Sequence, residues 1–240
     1  MNRYEIEIAE NYARVLEKIA EAAKRGGSDP SAIKVVGVTK SHSPEIVDAG
    51  IKAGLKIIGE NRVQEAEKKL PLLSEPYEEF HYIGHLQKNK INKLLALKPA
   101  LIQSIDKLTT AESLNRSLER EDRKQSILIQ VNTSGEESKY GVPADYGELK
   151  ELIYRISLLE RLKIRGLMTI GKFTDEEAEI RKCFSLLRNY YESLNEEGIS
   201  GVVMEVLSMG MSNDYQIAVE EGANLVRIGT ALYGIRHSSQ

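Results

Sequence analysis

Lys40 is the first residue of the sequence whose type and position suggest chemistry. It follows the apolar run 35–38, which is typical of a strand buried in a parallel sheet. Ser43 is then a suitable helix N-cap and Pro44 a suitable first helical residue. Lys40 therefore lies at the carboxyl end of a strand, where α/β sheets bind ligands. Its amine can form a Schiff base with a ligand carbonyl, although a solvent-facing lysine is the simpler interpretation.

Small residues after the last two predicted strands suggest an anion site. The segments LSMGMSND and VRIGTALYG contain Ser208, Gly229 and Thr230. Glycine allows close backbone approach, free N–H groups at a helix start attract anions, and α/β barrels often bind phosphate in these loops. An amine on one side and a phosphate site on the other predict pyridoxal phosphate, whose aldehyde reacts with lysine. An ordinary strand-to-helix turn is the alternative for the glycine segment.

Other polar or sulfur-containing side chains follow the remaining predicted strands. Asn61 could cap the helix behind it as well as line a pocket, and Arg227 could form an ion pair with Glu60 at the rim. Asn132 is interpreted as a loop-capping group and Met168 as barrel packing. The strand-end set is Lys40, Glu60, Asn61, His85, Ser104, Asp106, Asn132, Met168, Ser208, Arg227, Gly229 and Thr230.

Eight apolar segments of strand type alternate with segments of helical pattern. The strand segments are continuously apolar, as expected for strands buried on both faces. They predict a single (β/α)8 barrel over residues 1–240 with an extra N-terminal helix, whose Val15, Leu16 and Ile19 are expected to cover one end. An open doubly wound sheet is the alternative, disfavoured because no GxGxxG follows the first strand. The segments are 34–39, 56–59, 80–84, 101–105, 127–132, 164–170, 202–207 and 225–228.

Composition argues against several classes of protein. Hydrophobic residues make up 41% of the 240 residues and charged residues 29%, as in ordinary globular proteins. A formal net charge of -3 gives no basic excess for nucleic acid or an anionic membrane. No apolar run approaches the ~20 residues of a membrane span, and the charged N-terminal segment does not resemble a signal peptide.

Cysteine and histidine usage indicates the compartment and argues against a metal. The single cysteine, Cys183, cannot form an internal disulfide, and its helical spacing predicts a core position. This usage fits a cytoplasmic protein. The four histidines lack metal-ligand spacing, so no metal is expected; they are His42, His81, His85 and His237.

Seven ordered segments make the chain resemble the pyridoxal phosphate homeostasis protein family, whose members resemble the barrel domain of alanine racemase standing alone. The resemblance extends from about residue 35 to residue 236. Each segment alone would be a weak signal, but their common order is specific. The segments are VGVTKSHSPEIVDAG, IGENRVQEAEKK, FHYIGHLQKNKINKLL, SIDKL, ILIQVNTSGEESKYGV, IRGLMTIG and LSMGMSNDYQIAVEEGANLVRIGTALYG.

The resemblance implies roles for particular residues. Arg227 is expected beside the pyridine nitrogen of the cofactor. A guanidinium cannot accept a proton, so it disfavours a pyridinium and makes the ring a poorer electron sink. His42 receives no role, and His85 is expected only to line the mouth. The implied cofactor residues are Lys40 as the Schiff-base lysine, Asn61 in the pocket wall, Arg227 at the ring nitrogen, and Ser208, Gly229 and Thr230 around the phosphate.

Two main functions follow from the resemblance. The first is a protein that holds pyridoxal phosphate as a lysine Schiff base and acts in intracellular vitamin B6 and amino-acid homeostasis, without strong catalysis. The second is a small amino-acid racemase, which needs an acid/base group on each face of the α-carbon. Alanine racemase takes its second group, a tyrosine, from a separate β domain, which is not expected in this chain; Tyr140 and Tyr233 could substitute. A silent interaction barrel is a third possibility, and it predicts a colourless protein.

The expected ligand is pyridoxal phosphate, and apo-enzymes that receive the cofactor are a candidate class of partner. Neither nucleic acid nor a membrane is expected. A monomer is the preferred oligomeric state, because the resemblance excludes the β domain through which alanine racemases dimerise.

Overall fold

A closed barrel of eight parallel strands forms the centre of the fold in residues 3–234, the part of the chain that the computed structural model describes. Strands that are consecutive in the barrel pair with each other, and pairing between the fourth and fifth closes the ring. The predicted barrel is confirmed, and the open sheet is wrong because the sheet has no free edge there. The barrel strands are β1 (Lys34–Val38), β2 (Ile57–Glu60), β3 (Glu79–Tyr82), β4 (Leu101–Ile105), β5 (Gln125–Asn132), β7 (Leu162–Thr169), β8 (Val202–Ser208) and β9 (Leu225–Ile228).

A ninth strand, β6 (Val142–Pro143), was not predicted from the sequence. It pairs in parallel with the end of β5 because the loop between them folds back on itself. Asn132 donates from Nδ2 to the carbonyls of Glu136 and Lys139, which confirms its loop-capping role. Gly141 has a φ of 132°, and a Cβ there would lie 2.5 Å from the Asn132 nitrogen, so the fold requires glycine at this turn.

Helices cover the outside of the barrel, and the N-terminal helix belongs to that layer. It packs against the helices that flank β1 and β9, not across an end of the strands as predicted. Val15 and Ile19 are buried in this contact, whereas Leu16 is 42% exposed and faces away from it. The helices are α1 (Arg3–Gly26), α2 (Pro44–Lys52), α3 (Val63–Lys69), α4 (Ile91–Ala96), α5 (Leu108–Arg120), α6 (Tyr146–Ser157), α7 (Glu177–Glu197), α8 (Tyr215–Glu220) and α9 (Thr230–Tyr233).

Apolar side chains form two clusters that the strands keep apart. A larger cluster lies between the strands and the helices, and it includes buried residues of α7, the helix of Cys183. Cys183 is buried, as predicted. A smaller cluster fills the lumen, and Met168 belongs to it, which confirms its packing role. Each fully buried aliphatic side chain contributes about 1.5–3 kcal/mol to stability. The lumen cluster contains Val36, Ile57, Leu101, Leu128, Met168 and Leu225.

The helix starts behind β1 and β2 differ in how well the sequence predicted them. Ser43 occupies the N-cap of α2 and Pro44 its first position, as predicted. Asn61 was a candidate cap for α3, but this is wrong, because the N-cap position is Arg62. The side chain of Asn61 is thereby left for the barrel mouth.

Within residues 3–234, no helix is both long and apolar enough to cross a membrane. The same residues contain no group of three or more His, Cys, Asp or Glu side chains arranged to hold a metal ion. His237 lies outside the described residues.

Candidate functional site

Side-chain alternation along the strands selects the residues that face the barrel mouth. Val36 and Leu225 point into the lumen, and successive strand residues point to opposite faces. Two residues beyond Leu225, Arg227 also faces the lumen, where it is 4% exposed. Lys40 follows the end of β1 by two residues, and Asn61 directly follows β2. Both strands lie beside or next but one to β9, which carries Arg227. The predicted lysine, amide and arginine therefore come from adjacent strands at the same end of the barrel.

A buried charged cluster on the opposite face of β1 and β2 holds the backbone before Lys40. Lys69 of α3 is 6% exposed and donates to the Thr39 carbonyl at 2.7 Å and to Glu60 Oε1 at 2.6 Å. Thr39 Oγ1 also donates to Glu60 Oε1, at 2.6 Å. A fourth member, Glu65, accepts from Lys69 at 2.8 Å. We call Thr39, Glu60, Glu65 and Lys69 the outer cluster.

Glu65 also holds the residue after Lys40. The Ser41 amide donates to Glu65 Oε1, and the φ of Ser41 is 63°, a left-handed conformation uncommon outside glycine. Burial alone would raise the pKa of Glu65, but the hydrogen bonds from Lys69 and Ser41 outweigh it and lower that pKa. An ionised Glu65 is the stronger acceptor. The three-residue segment around Lys40 is therefore fixed on both sides.

The pKa of Glu60 is raised, whereas that of Glu65 is lowered. Burial raises the pKa of the Glu60 carboxyl, and this outweighs the hydrogen bonds that Lys69 and Thr39 donate to it. Glu60 Oε2 has no hydrogen-bond partner among the described residues. An ion pair between Arg227 and Glu60 was one interpretation of the sequence. It is wrong, because Glu60 pairs with Lys69 on the outer face.

Arg227 is instead held by neutral acceptors in the lumen. Its Nη1 donates to Ser208 Oγ at 2.6 Å, and its Nη2 to the Thr169 carbonyl at 2.7 Å. Burial lowers the pKa of Arg227 to about 10, and the charge of Asp214 opposes that change. The guanidinium therefore remains protonated at neutral pH, as its donor role requires.

The hydrogen bonds continue from Ser208 through the barrel to its opposite end. Ser208 Oγ donates to Gln103 Oε1 at 2.7 Å, and Gln103 Nε2 lies 3.0 Å from His81 Nδ1. His81 Nε2 lies 2.7 Å from Glu79 Oε2, at the start of β3. That hydrogen bond lowers the pKa of Glu79 to about 2. We call Arg227, Ser208, Gln103, His81 and Glu79 the lumen chain.

The loops after β8 and β9 meet through a serine that the sequence analysis missed. Ser212 Oγ accepts from the amides of Gly229 and Ala231, each at 3.1 Å. The amide between them, of Thr230, has no acceptor among the described residues. A Cβ at Gly229 would meet nothing closer than Val38 Cβ at 3.5 Å, so protein packing alone does not require glycine there. Ser212 lies four residues after Ser208 in LSMGMSND, and only the fold distinguishes the two hydroxyls.

The two histidines near the mouth contact tyrosine rings. His85 stacks on Tyr140 with ring centroids 3.8 Å apart, and its Nδ1 lies 3.9 Å from Asp106 Oδ2. His42 packs against Tyr233, with centroids 4.8 Å apart. The Tyr233 hydroxyl is buried, and burial raises its pKa.

Comparisons with known proteins agree with this architecture. Residues 8–237 match the family model described as alanine racemase, N-terminal domain. A protein of Aquifex aeolicus named pyridoxal phosphate homeostasis protein is 40% identical over 95% of this chain and 97% of its own. The chain belongs to the pyridoxal phosphate homeostasis protein family. Another member, from Pseudomonas aeruginosa, is 38% identical over 95% of this chain and 96% of its own.

Solved structures of relatives have the same fold. PipY of Synechococcus elongatus, whose structure was determined with pyridoxal phosphate bound, aligns with a TM-score of 0.80 and 31% identity. The alignment covers 95% of this chain and 100% of that one. Alanine racemase from Streptomyces coelicolor aligns with a TM-score of 0.73 at 16% identity, over 97% of this chain and 59% of its own. The likeness to the racemase is one of fold.

Proposed function

We propose that this protein binds pyridoxal phosphate at the mouth of its barrel through Lys40 and acts in the homeostasis of that cofactor and of amino acids. The observation that carries the proposal is that Lys40, Asn61 and Arg227 come from the mouth ends of the adjacent strands β1, β2 and β9, beside the loops joined by Ser212. The names of the family members and the ligand of PipY support it.

The residues at the mouth fit the cofactor group by group. When bound, the cofactor supplies an aldehyde that condenses with a lysine amine. Lys40 offers that amine on a segment whose backbone is fixed by the outer cluster. The Thr230 amide and the space above Gly229 suit a phosphate, with Ser212 holding the two loops together.

Arg227 suits the pyridine nitrogen, because its protonated, donor-only guanidinium presents a hydrogen bond and accepts none. The ring is then kept unprotonated, which weakens general carbanion chemistry. Ser208, assigned to the phosphate from the sequence, has its hydroxyl bonded to Arg227 and Gln103. We propose that Ser208 acts through Arg227 and that Ser212 supports the phosphate site.

Absorbance of the purified protein tests the proposal. We expect an imine band near ~420 nm that borohydride abolishes, with the reduced adduct on the Lys40 peptide by mass mapping. Lys40→Ala should fold and lose the band. Lys139→Ala is a matched control that removes another lysine and should keep it. A protein that stays colourless with excess cofactor, or an unchanged band in Lys40→Ala, would overturn the proposal.

A racemase remains the alternative function, and the surroundings of two tyrosines bear on it. The hydroxyl of Tyr233 is buried beside Gly37 and Gly50, close enough that a Cβ added at either glycine would contact it. Tyr233 is therefore a poor second acid/base group. Tyr140 is exposed and stacks on His85. Exchange of the α-proton of amino acids in deuterated water separates the functions: exchange abolished by Tyr140→Phe would favour the racemase.

We also propose a cytoplasmic, monomeric protein whose partners include apo-enzymes that receive the cofactor. The single buried cysteine supports the compartment. Light scattering of the pure protein measures the mass, and a dimer would contradict the monomer.

A further inference from the structure

A cleft opens at the barrel mouth, between α3 and the turn that follows β3. It encloses about 610 Å³ and is lined in part by Asn61, Arg62, Lys68, His85 and Lys90. Small-molecule sites commonly have volumes of roughly 300–1,000 Å³. Asn61 is the one residue that the cleft shares with the cofactor site proposed above.

The side chains that line the cleft carry more positive than negative charge, although Arg62 is among the groups that lower the pKa of Glu65. Arg62, Lys68 and Lys90 line it, and none is within 4.0 Å of a carboxylate among the described residues. Glu65 is the one acid lining it, and Glu65 Oε1 already accepts from Lys69 and the Ser41 amide. The whole chain, by contrast, has a formal net charge of -3. Local attraction for an anion is therefore set by this surface, not by the protein's net charge.

The hydrogen-bonding groups of the cleft select the ligand further. Arginine and lysine side chains are donors with no acceptor, so the three cations call for a ligand rich in acceptor oxygens. Two shielded atoms beside them, Asn61 Oδ1 and His85 Nδ1, have no hydrogen-bond partner among the described residues, although Asp106 Oδ2 lies 3.9 Å from His85 Nδ1. A buried polar atom left unpaired is unfavourable, so a ligand that also carries a hydroxyl or other donor would gain from meeting these two atoms.

We propose that this cleft is a binding site for a small, multiply charged oxyanion, of the phosphate-ester or polycarboxylate class. Three cations converge from α3 and from the turn before α4, which suits two or more anionic groups on one molecule better than a single carboxylate. The site does not require Lys40, so it stands apart from the covalent cofactor function.

Calorimetric titration of the Lys40→Ala protein with pyrophosphate, and separately with tricarballylate, tests this site. Omitting Lys40 keeps the result independent of the cofactor proposal. We expect saturable binding of one molecule of at least one probe, weakened tenfold or more in a Lys68→Gln/Lys90→Gln double variant. Tighter binding of pyrophosphate indicates a phosphate source for the ligand, and tighter binding of tricarballylate a carboxylate source.

A matched control removes the same charge elsewhere. Lys163→Gln/Lys182→Gln changes two exposed lysines outside the cleft and should leave the affinity within twofold. Circular dichroism confirms that each variant is folded, and Arg62→Gln is the alternative if the double variant is not. Equal losses in the two double variants, or heat that does not saturate with either probe, would overturn the proposal.

Discussion

The outer cluster and the lumen chain are two buried polar networks on opposite faces of the same barrel. The outer cluster is charged: Lys69 lies between two carboxylates and bonds the Thr39 carbonyl before Lys40, while Glu65 bonds the Ser41 amide after it. The lumen chain is linked through the neutral groups of Ser208 and Gln103, and it fixes one side chain, that of Arg227. The outer cluster therefore fixes the backbone from which the Lys40 side chain extends. The lumen chain fixes the position of the Arg227 guanidinium.

The two networks also differ in what determines which group donates and which accepts each hydrogen bond. In the outer cluster, the opposite charges of lysine and the carboxylates determine it. In the lumen chain, Arg227 can only donate, so Ser208 must donate onward to Gln103 Oε1. The Gln103 amide is then left to donate to His81 Nδ1, and His81 must carry its proton on Nε2, facing Glu79. The tautomer of a histidine near the base of the barrel thus follows from an arginine at its mouth.

Removing the central charge of the outer cluster should have the largest effect. Lys69→Met leaves the fully buried Glu60 without its cation, and breaking a buried pair in this way costs about 3–5 kcal/mol. Urea unfolding measures the loss. Lys68→Met, one residue earlier but exposed, should change stability by less than about 0.5 kcal/mol.

A double-variant cycle separates the charge from the packing. If the penalty is an uncompensated carboxylate, adding Glu60→Gln to Lys69→Met should recover part of it. A loss below about 1 kcal/mol in Lys69→Met would mean that the cluster is not the buried ion pair described here, because exposed pairs typically contribute only that much.

Cutting the lumen chain should have a smaller effect, because its central link is neutral. Gln103→Leu leaves the Ser208 hydroxyl proton without its acceptor and His81 Nδ1 without its donor, at a cost of about 1–3 kcal/mol for unpaired buried groups. Urea unfolding measures this loss of stability as well. The substitution should also broaden or shift the cofactor absorbance band, because the lumen chain that holds Arg227 is cut.

Nitrogen-15 NMR of His81 gives a readout that a merely structural role of Gln103 would not move. The parent protein should show an unprotonated Nδ1 and a protonated Nε2, with the tautomer less biased in Gln103→Leu. A parent His81 protonated on Nδ1 would contradict the direction of the chain.

The sequence predicted the barrel better than it predicted these networks. Continuous apolar segments are a local signal, and all eight became strands. Lys69 lies in QEAEKKL, where charge alone suggests a solvated helix; its burial depends on Glu60, on another element. Gln103 and His81 did carry a signal, since each is a polar residue at an inward position of an apolar strand. Recognising it requires the strand register, which pairs β3 with β4. The role of Ser212 could not be predicted from the sequence, because it depends on the contact between the loops after β8 and β9.

Glu79, at the end of the lumen chain, should make the stability of the fold depend weakly on pH in the acidic range. The His81 hydrogen bond lowers the pKa of Glu79 from 4.5 to about 2. A carboxyl with a lowered folded-state pKa contributes stability that is complete above its unfolded value and is lost as the pH falls through the folded value. Glu79 should therefore stabilise the fold above pH 4.5 and lose that contribution between pH 4.5 and 2.

Melting temperatures from pH 6 down to pH 3 measure this term. Glu79→Gln should reduce the slope below pH 4.5, whereas Glu137→Gln, in an exposed loop position, should leave it unchanged. Because Glu79 is 34% exposed and lies within 3.5 Å of Lys34, solvent screens the interaction and the difference should be the smallest of the set. Equal slopes in the parent and Glu79→Gln would place the end of the chain at His81, with Glu79 contributing only a surface contact.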